Sequence, residues 1–178
     1  MYEIEKRRSI RKYKDIQVNE DIQQELIRSA LLAPSGDNTQ PWHFIIVDDK
    51  ELKSKIAKVS HNQKWMEKAP LYIVCVADIR VRIKTDEAVD LDESTGLFEL
   101  KQIIRDTSIA IEHLVLEATS QGLGTCWIAW YKQNEIRPVL EIPNDKYVVG
   151  IITVGYADEN PKQRPRKRME EVIHKNKW

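Results

Sequence analysis

Residues Leu71 to Ala77 read Leu-Tyr-Ile-Val-Cys-Val-Ala, with no charged or amide side chain among them. A strand with one wet face alternates apolar and polar residues. An unbroken run of this length, entered through Ala69-Pro70, marks a strand covered on both faces. Such a strand belongs in the middle of a sheet, and the rest of the chain must supply a packing layer on either side of it.

The flanking patterns supply those layers. Asn19 is placed to cap a helix whose first turn carries Glu20 and Asp21, and Ile22, Leu26, Ala30 and Ala33 then recur at helical spacing, joined by Ile27 and Leu31. Pro34 ends that run. Trp42 to Val47 reads as a strand, and Asp48-Asp49 can cap a helix carrying Leu52, Ile56 and Val59. From Leu100 to Gln121, Ile103, Ile104, Thr107, Ala110, Ile111, Leu114, Val115 and Ala118 spread over more than one stripe. A helix apolar on two sides needs covering on two sides, which puts it at the centre of the domain or in a subunit interface. It stops at Gly122-Leu123-Gly124. Asn134 is placed to cap a short helix with Pro138 early in it and Ile136, Val139 and Leu140 pointing inward. Tyr147 to Tyr156 reads as a long buried strand. Its two glycines mark close approach of backbone or ligand. Met1 to Arg8 reads as a short leading helix.

At 178 residues and 42% hydrophobic content, with no linker-like stretch, residues 1–178 form one domain. Lys+Arg 28 and Asp+Glu 28 cancel, so no overall field draws the chain to nucleic acid or to a membrane surface. No apolar run approaches the roughly 18 residues needed to span a bilayer. Cys75 and Cys126 both lie in apolar runs and read as buried free thiols of a cytoplasmic protein, with no metal site.

Four stretches can carry chemistry. Pro34-Ser35-Gly36-Asp37-Asn38-Thr39-Gln40-Pro41 joins a helix to a strand; its hydroxyl and carboxamides either read a flat heterocycle or simply form an Asx-turn. Arg7-Arg8-Ser9-Ile10-Arg11-Lys12 is either a solvated basic turn or an anion site, since arginine forks onto two phosphate oxygens at once. Arg164-Pro165-Arg166-Lys167-Arg168 is either a solvated tail or meets the first cluster around one anion. Thr125 to Trp130 is either a strand with core aromatics or a wall for a planar ligand. His43 reads as a strand histidine, and His113 as a core or interface histidine. Residues 79–98 lose periodicity and gather charge at Lys84, Asp86, Glu87, Asp90, Asp92 and Glu93, as either a surface excursion or a lid.

Taken in order, Arg-Arg-Ser-Ile-Arg near the start, Pro-Ser-Gly-x-Asn-x-Gln-Pro-Trp-His-Phe near residue 40, Asn62 ahead of Ala69-Pro70, Gly-Leu-Gly-Thr-Cys-Trp-Ile near residue 125, and Val-Gly-Tyr followed by the terminal arginines resemble the FMN-dependent nitroreductase family. The resemblance covers nearly the whole chain. It implies an α+β fold with a central, mainly antiparallel sheet flanked by helices, and a homodimer holding FMN at the subunit interface. It further implies that Arg7, Arg8, Ser9 and Arg11 hold the phosphate and ring edge, with Arg164 and Arg166 as a second cationic contact. Pro34, Ser35, Gly36 and Asn38 then reach the flavin from the partner subunit, Asn62 contacts the ring, and Trp127, Ile128 and Ala129 pack on one flavin face. NAD(P)H serves as hydride donor and a small electron-poor acceptor follows it, with Trp65, Phe98 and Trp130 lining the acceptor pocket. No side chain is expected as a catalytic acid or base. Two rival readings are a flavin carrier without turnover and a small phosphate- or nucleic-acid-binding module. The segment 79–98 is short for the family, and Arg168 stands where relatives often carry proline.

Overall fold

A computed structural model describes residues 2–85 and 87–178; Met1, expected to begin the leading helix, and Asp86, part of the charged segment, lie outside the described residues. The leading helix α1 spans Tyr2–Lys6, and α2 spans Glu20–Leu31. Strand β1 is Trp42–Val47, α3 is Lys50–Val59 and β2 is Leu71–Asp78. The long helix α4 is Phe98–Ser120, followed by β3 at Gly124–Ile128, α5 at Gln133–Val139 and β4 at Lys146–Gly155.

The four strands form one sheet in the order β1-β2-β4-β3, and every neighbouring pair is antiparallel. The two apolar runs are therefore the two central strands, buried along nearly their whole lengths. Alternate side chains feed two cores. Ile73, Cys75, Ile152 and Val154 face α2 and α4, meeting Leu26, Ile103, Ile111 and Leu114. Tyr72, Val74, Val148 and Ile151 face α3 and α5, meeting Ile56, Ala57 and Ile136. Each fully buried leucine or isoleucine contributes roughly 1.5–3 kcal/mol relative to exposure.

Local chemistry sets the helix ends. Asn19 accepts the Asp21 N–H at 2.8 Å and Asp49 accepts the Leu52 N–H at 2.8 Å, as their positions suggested. At the end of α4, Gly122 takes φ +75°, and Leu123 N–H turns back to the Ala118 carbonyl at 2.8 Å. That is the left-handed exit glycine favours.

Three expectations change. Leu31 points outward and is 51% exposed, because α2 rests on α4 only through the stripe that contains Leu26 and Ala30. Helix α5 begins at Gln133, with Lys132 rather than Asn134 at its cap, and Pro138 falls one residue before its end. The reason is tertiary: the Glu93 carboxylate accepts Gln133 N–H at 2.7 Å, and the buried Gln133 amide pairs with Val148 through bonds of 2.9 and 2.8 Å. Val148 lies where the β2–β4 register shifts between Cys75 and Val76, so the amide supplies hydrogen bonds the irregular ladder lacks. Finally, the described part of residues 79–98 runs along the surface but is pinned to the domain rather than free. Ile79 and Leu91 are fully buried, Arg80 bonds Asp145 at 2.7 Å, and Arg137 bonds Asp90 at 2.9 Å.

Candidate active site

The basic segment near the N-terminus is laid along the open edge of the sheet. Ser9 bridges Thr125 in parallel, and Ile10 N–H donates to the Thr125 carbonyl at 2.8 Å. Gly124 makes this approach possible, since a Cβ there would lie 2.6 Å from the Ile10 side chain. Tyr13 then anchors the segment, its hydroxyl bonding the Ile10 carbonyl at 2.6 Å and Thr153 Oγ1 at 2.7 Å. Burial raises the Tyr13 pKa above its ordinary value, which keeps the hydroxyl protonated in that role.

The far end of the chain joins the same edge. Tyr13 bridges Ala157 in antiparallel fashion, Lys14 N–H reaches the Tyr156 carbonyl at 2.9 Å, and Asp158 N–H reaches the Lys12 carbonyl at 2.9 Å. Glu159 accepts the N–H groups of Arg11 and Lys12. With the strands of backbone tied, Arg7, Arg8, Ser9 and Arg11 face Lys162, Arg164 and Arg166 across a cavity of about 280 Å³. Among the described residues, none of these six cationic side chains has a carboxylate within ion-pair distance. Six cationic side chains and a hydroxyl around one cleft suit a phosphate ester. Lys162 belongs to this set and sequence reading missed it; only its place between Pro161 and Arg164 hinted at it.

The other expected contacts do not line that cavity. Asn62 and the β3 exit adjoin one another: His61 Nδ1 lies 2.9 Å from the Trp130 carbonyl, and its ring stacks on the Trp130 indole at 3.8 Å. Trp65 meets the basic cluster, with the Arg11 guanidinium 5.7 Å above its ring. Trp127 is 38% exposed, whereas the Ile128 side chain is buried in the α3/α5 core, so at Ile128 only backbone is left to face a ligand. Ala129 follows, exposed. Phe98 is exposed at the start of α4. The loop residues Pro34, Ser35, Gly36 and Asn38 sit at the end of α2, where Gly36 N–H donates to Asp106 of α4 at 3.2 Å.

Cys126 lies between the cations and the core. Burial pushes its thiol pKa up, against the pull of Arg11 and Arg7. The thiol is therefore neutral near pH 7 and unsuited to nucleophilic work. Among the described residues no cluster of His, Cys, Asp and Glu could hold a metal ion, and no helix is long and apolar enough to cross a membrane.

An antiparallel α+β fold with a cationic cleft at its sheet edge has the chemistry to take up a phosphorylated small molecule. Comparison with known proteins is more specific. The nitroreductase family profile matches residues 4–156. The chain is 30% identical over 176 residues to an FMN reductase (NAD(P)H) of Bacillus subtilis, covering 96% of this chain and 71% of the relative. Among solved structures, an FMN-dependent nitroreductase from Clostridium difficile superposes with a TM-score of 0.79 at 34% identity, covering 99% of this chain and 98% of that one. An NADPH:FMN oxidoreductase from Vibrio harveyi, complexed with NAD+, superposes at 0.88 and 25% identity, covering 99% and 76%. The chain belongs to the nitroreductase family.

Proposed function

We propose that this chain is an FMN-dependent oxidoreductase that takes hydride from NAD(P)H and reduces a small electron-poor acceptor such as a nitroaromatic or quinone. The observation that carries the reading is the cleft of six cations without a carboxylate partner, assembled from both ends of a nitroreductase-family chain. When bound, FMN supplies the two-electron chemistry, accepting hydride from the nicotinamide and passing it to the acceptor. The chain's own work is to bind and orient. Arg7, Arg8, Ser9, Arg11, Arg164 and Arg166 hold the phosphate. Pro34, Ser35, Gly36 and Asn38 reach the flavin held by the partner subunit, Asn62 contacts the ring, and Trp127, Ile128 and Ala129 back one of its faces. Trp65, Phe98 and Trp130 border the acceptor position.

Exposed apolar side chains support a homodimer as part of the same reading. Leu32, Phe98 and Ile109 stand out from the helices, and Met169, Val172, Ile173 and Trp178 line a tail with no buried residue. A second copy is the occupant those groups suit. The cytoplasmic location expected from the two free thiols belongs to this reading as well.

The test is optical. Purified protein, or apoprotein given FMN, should show a flavin spectrum that bleaches anaerobically with NADH or NADPH and recovers when a quinone is added. A colourless protein that cannot be reconstituted sinks the reading; a coloured one that neither nucleotide bleaches is a flavin carrier.

A further inference from the structure

The loop after α2 holds an improbable backbone. Asp37, Asn38 and Gln40 take φ of 53°, 54° and 48°, the left-handed region, which Asp and Asn enter more readily than Gln. Part of the hold is internal, since Ser35 Oγ accepts the Gln40 N–H at 2.9 Å. Asn38 N–H and Thr39 N–H also close onto the Ser35 and Gly36 carbonyls at 3.0 and 3.2 Å, and a hold from outside the loop comes from Arg82, which follows the short turn Ile79–Val81 after β2.

The Arg82 side chain is only 12% exposed. Its Nη1 donates to Asp37 Oδ2 at 2.7 Å and its Nη2 to the Gly36 carbonyl at 2.7 Å. Asp106 of α4, itself 14% exposed, stands 3.7 Å from the same Nη2 and accepts the Gly36 N–H. Gly36 is thus gripped at its N–H by an acid and at its carbonyl by a guanidinium, and the two grips are linked to each other. Among the described residues, the buried Arg82 Nε has no partner. A buried, incompletely satisfied guanidinium is a poor device for stability alone.

Gly36 is explained by the same contact. Its φ is not in the left-handed region, so freedom of conformation is not what the position needs. A Cβ there would lie 2.5 Å from Arg82 Nη2. The glycine is there to admit the guanidinium.

We infer that Arg82 and Asp106 are positioning residues for the cofactor loop: Arg82, entering the space left by Gly36, clamps the strained backbone of residues 36–40 in the shape that meets the flavin ring. This rests on the reading above, in which that loop contacts FMN. In this reading both residues act through the loop. The segment beginning at residue 79 thereby acts as a brace behind the loop.

Riboflavin, which lacks the phosphate, separates the clamp from the cationic cleft. Dissociation constants for FMN and for riboflavin would be measured by flavin fluorescence on apoprotein of wild type, Arg82→Ala, Gly36→Ala, their double variant, Asp106→Asn and Arg164→Ala. Loss of one loop-to-ring hydrogen bond amounts to roughly fivefold to tenfold in affinity. Arg82→Ala and Gly36→Ala should each weaken both flavins by a common factor of at least that size, and the double variant should be no weaker than Arg82→Ala alone. Asp106→Asn, which keeps the acceptor for Gly36 N–H, should have a smaller effect in the same direction. Arg164→Ala should weaken FMN and leave riboflavin unchanged. If Arg82→Ala does not fold, a further variant, Arg82→Lys, decides, because it keeps the charge and loses the fork onto Asp37 and the Gly36 carbonyl. Flavin affinities within twofold of wild type in a folded Arg82→Ala or Gly36→Ala, or losses that multiply in the double variant, would overturn the clamp. Wild-type protein that binds neither flavin would instead remove the proposed function.

Discussion

Gly150 of β4 lies beneath the indole of Trp127: a Cβ built on the glycine would stand 2.6 Å from Trp127 Nε1. Trp127 is directly opposite Ile152, so the contact is the diagonal one between neighbouring strands. We expect Gly150→Ala to force the ring outward and to cost about 1–3 kcal/mol, the usual penalty of overfilling a packed site. Urea unfolding followed by tryptophan emission checks both effects; an unchanged midpoint and spectrum would contradict the packing.

The cationic cleft predicts a loss confined to the phosphate. Arg166→Ala should weaken FMN binding by about 1.5–3 kcal/mol, the range for a charge-assisted hydrogen bond, and the loss should shrink as salt rises. Flavin fluorescence titrations at two ionic strengths test this. Affinity equal to wild type at low salt would place Arg166 outside the phosphate site.

Gln133 carries a different kind of weight, since its amide serves both the N–H and the carbonyl of Val148 in the interior. Tyr131 still donates to that carbonyl at 3.2 Å, so Gln133→Leu orphans chiefly the N–H. We expect a loss of about 1–3 kcal/mol, and Gln133→Glu to be tolerated less well than wild type because it buries a charge. Unfolding midpoints of the two variants decide.

Alkaline pH should destabilise the fold before mild acid does. Burial raises the hydroxyls of Tyr13, Tyr72 and Tyr131 above 10.0 and the thiols of Cys75 and Cys126 above 9.0. The folded chain keeps protons that the unfolded chain releases, so this contribution is whole below about pH 9 and is lost as pH climbs beyond it. Lys53, whose pKa burial lowers, works in the opposite direction but is one group against five. Each group that titrates only when unfolded removes about 1.4 kcal/mol per pH unit. Urea midpoints should hold steady to about pH 8.5 and fall steeply by about pH 10.5; a flat profile would show that these groups are not shielded.

Much of the architecture was legible because its signals are local. Asn19 and Asp49 sit one residue before the helices they cap, and the apolar runs of β2 and β4 announce strands with two covered faces. What was not legible depended on residues far away in the chain. Helix α5 starts where it does because Glu93 binds its first N–H, a contact 40 residues long. Leu31 continues a helical stripe in sequence, yet nothing in that stripe says where α4 stops covering it. The basic clusters at residues 7–11 and 164–166 were each ambiguous alone; their convergence needs the Tyr13–Ala157 bridge, which no spacing reveals. Gly36 looked like turn chemistry, whereas its neighbour is Arg82.

The backbone bridges between residues 12–14 and 156–158 make the cleft a clasp between the first and last parts of the polypeptide. Fraying at residues 156–158 would therefore carry Arg164 and Arg166 away from Arg7 and Arg11 together rather than one at a time.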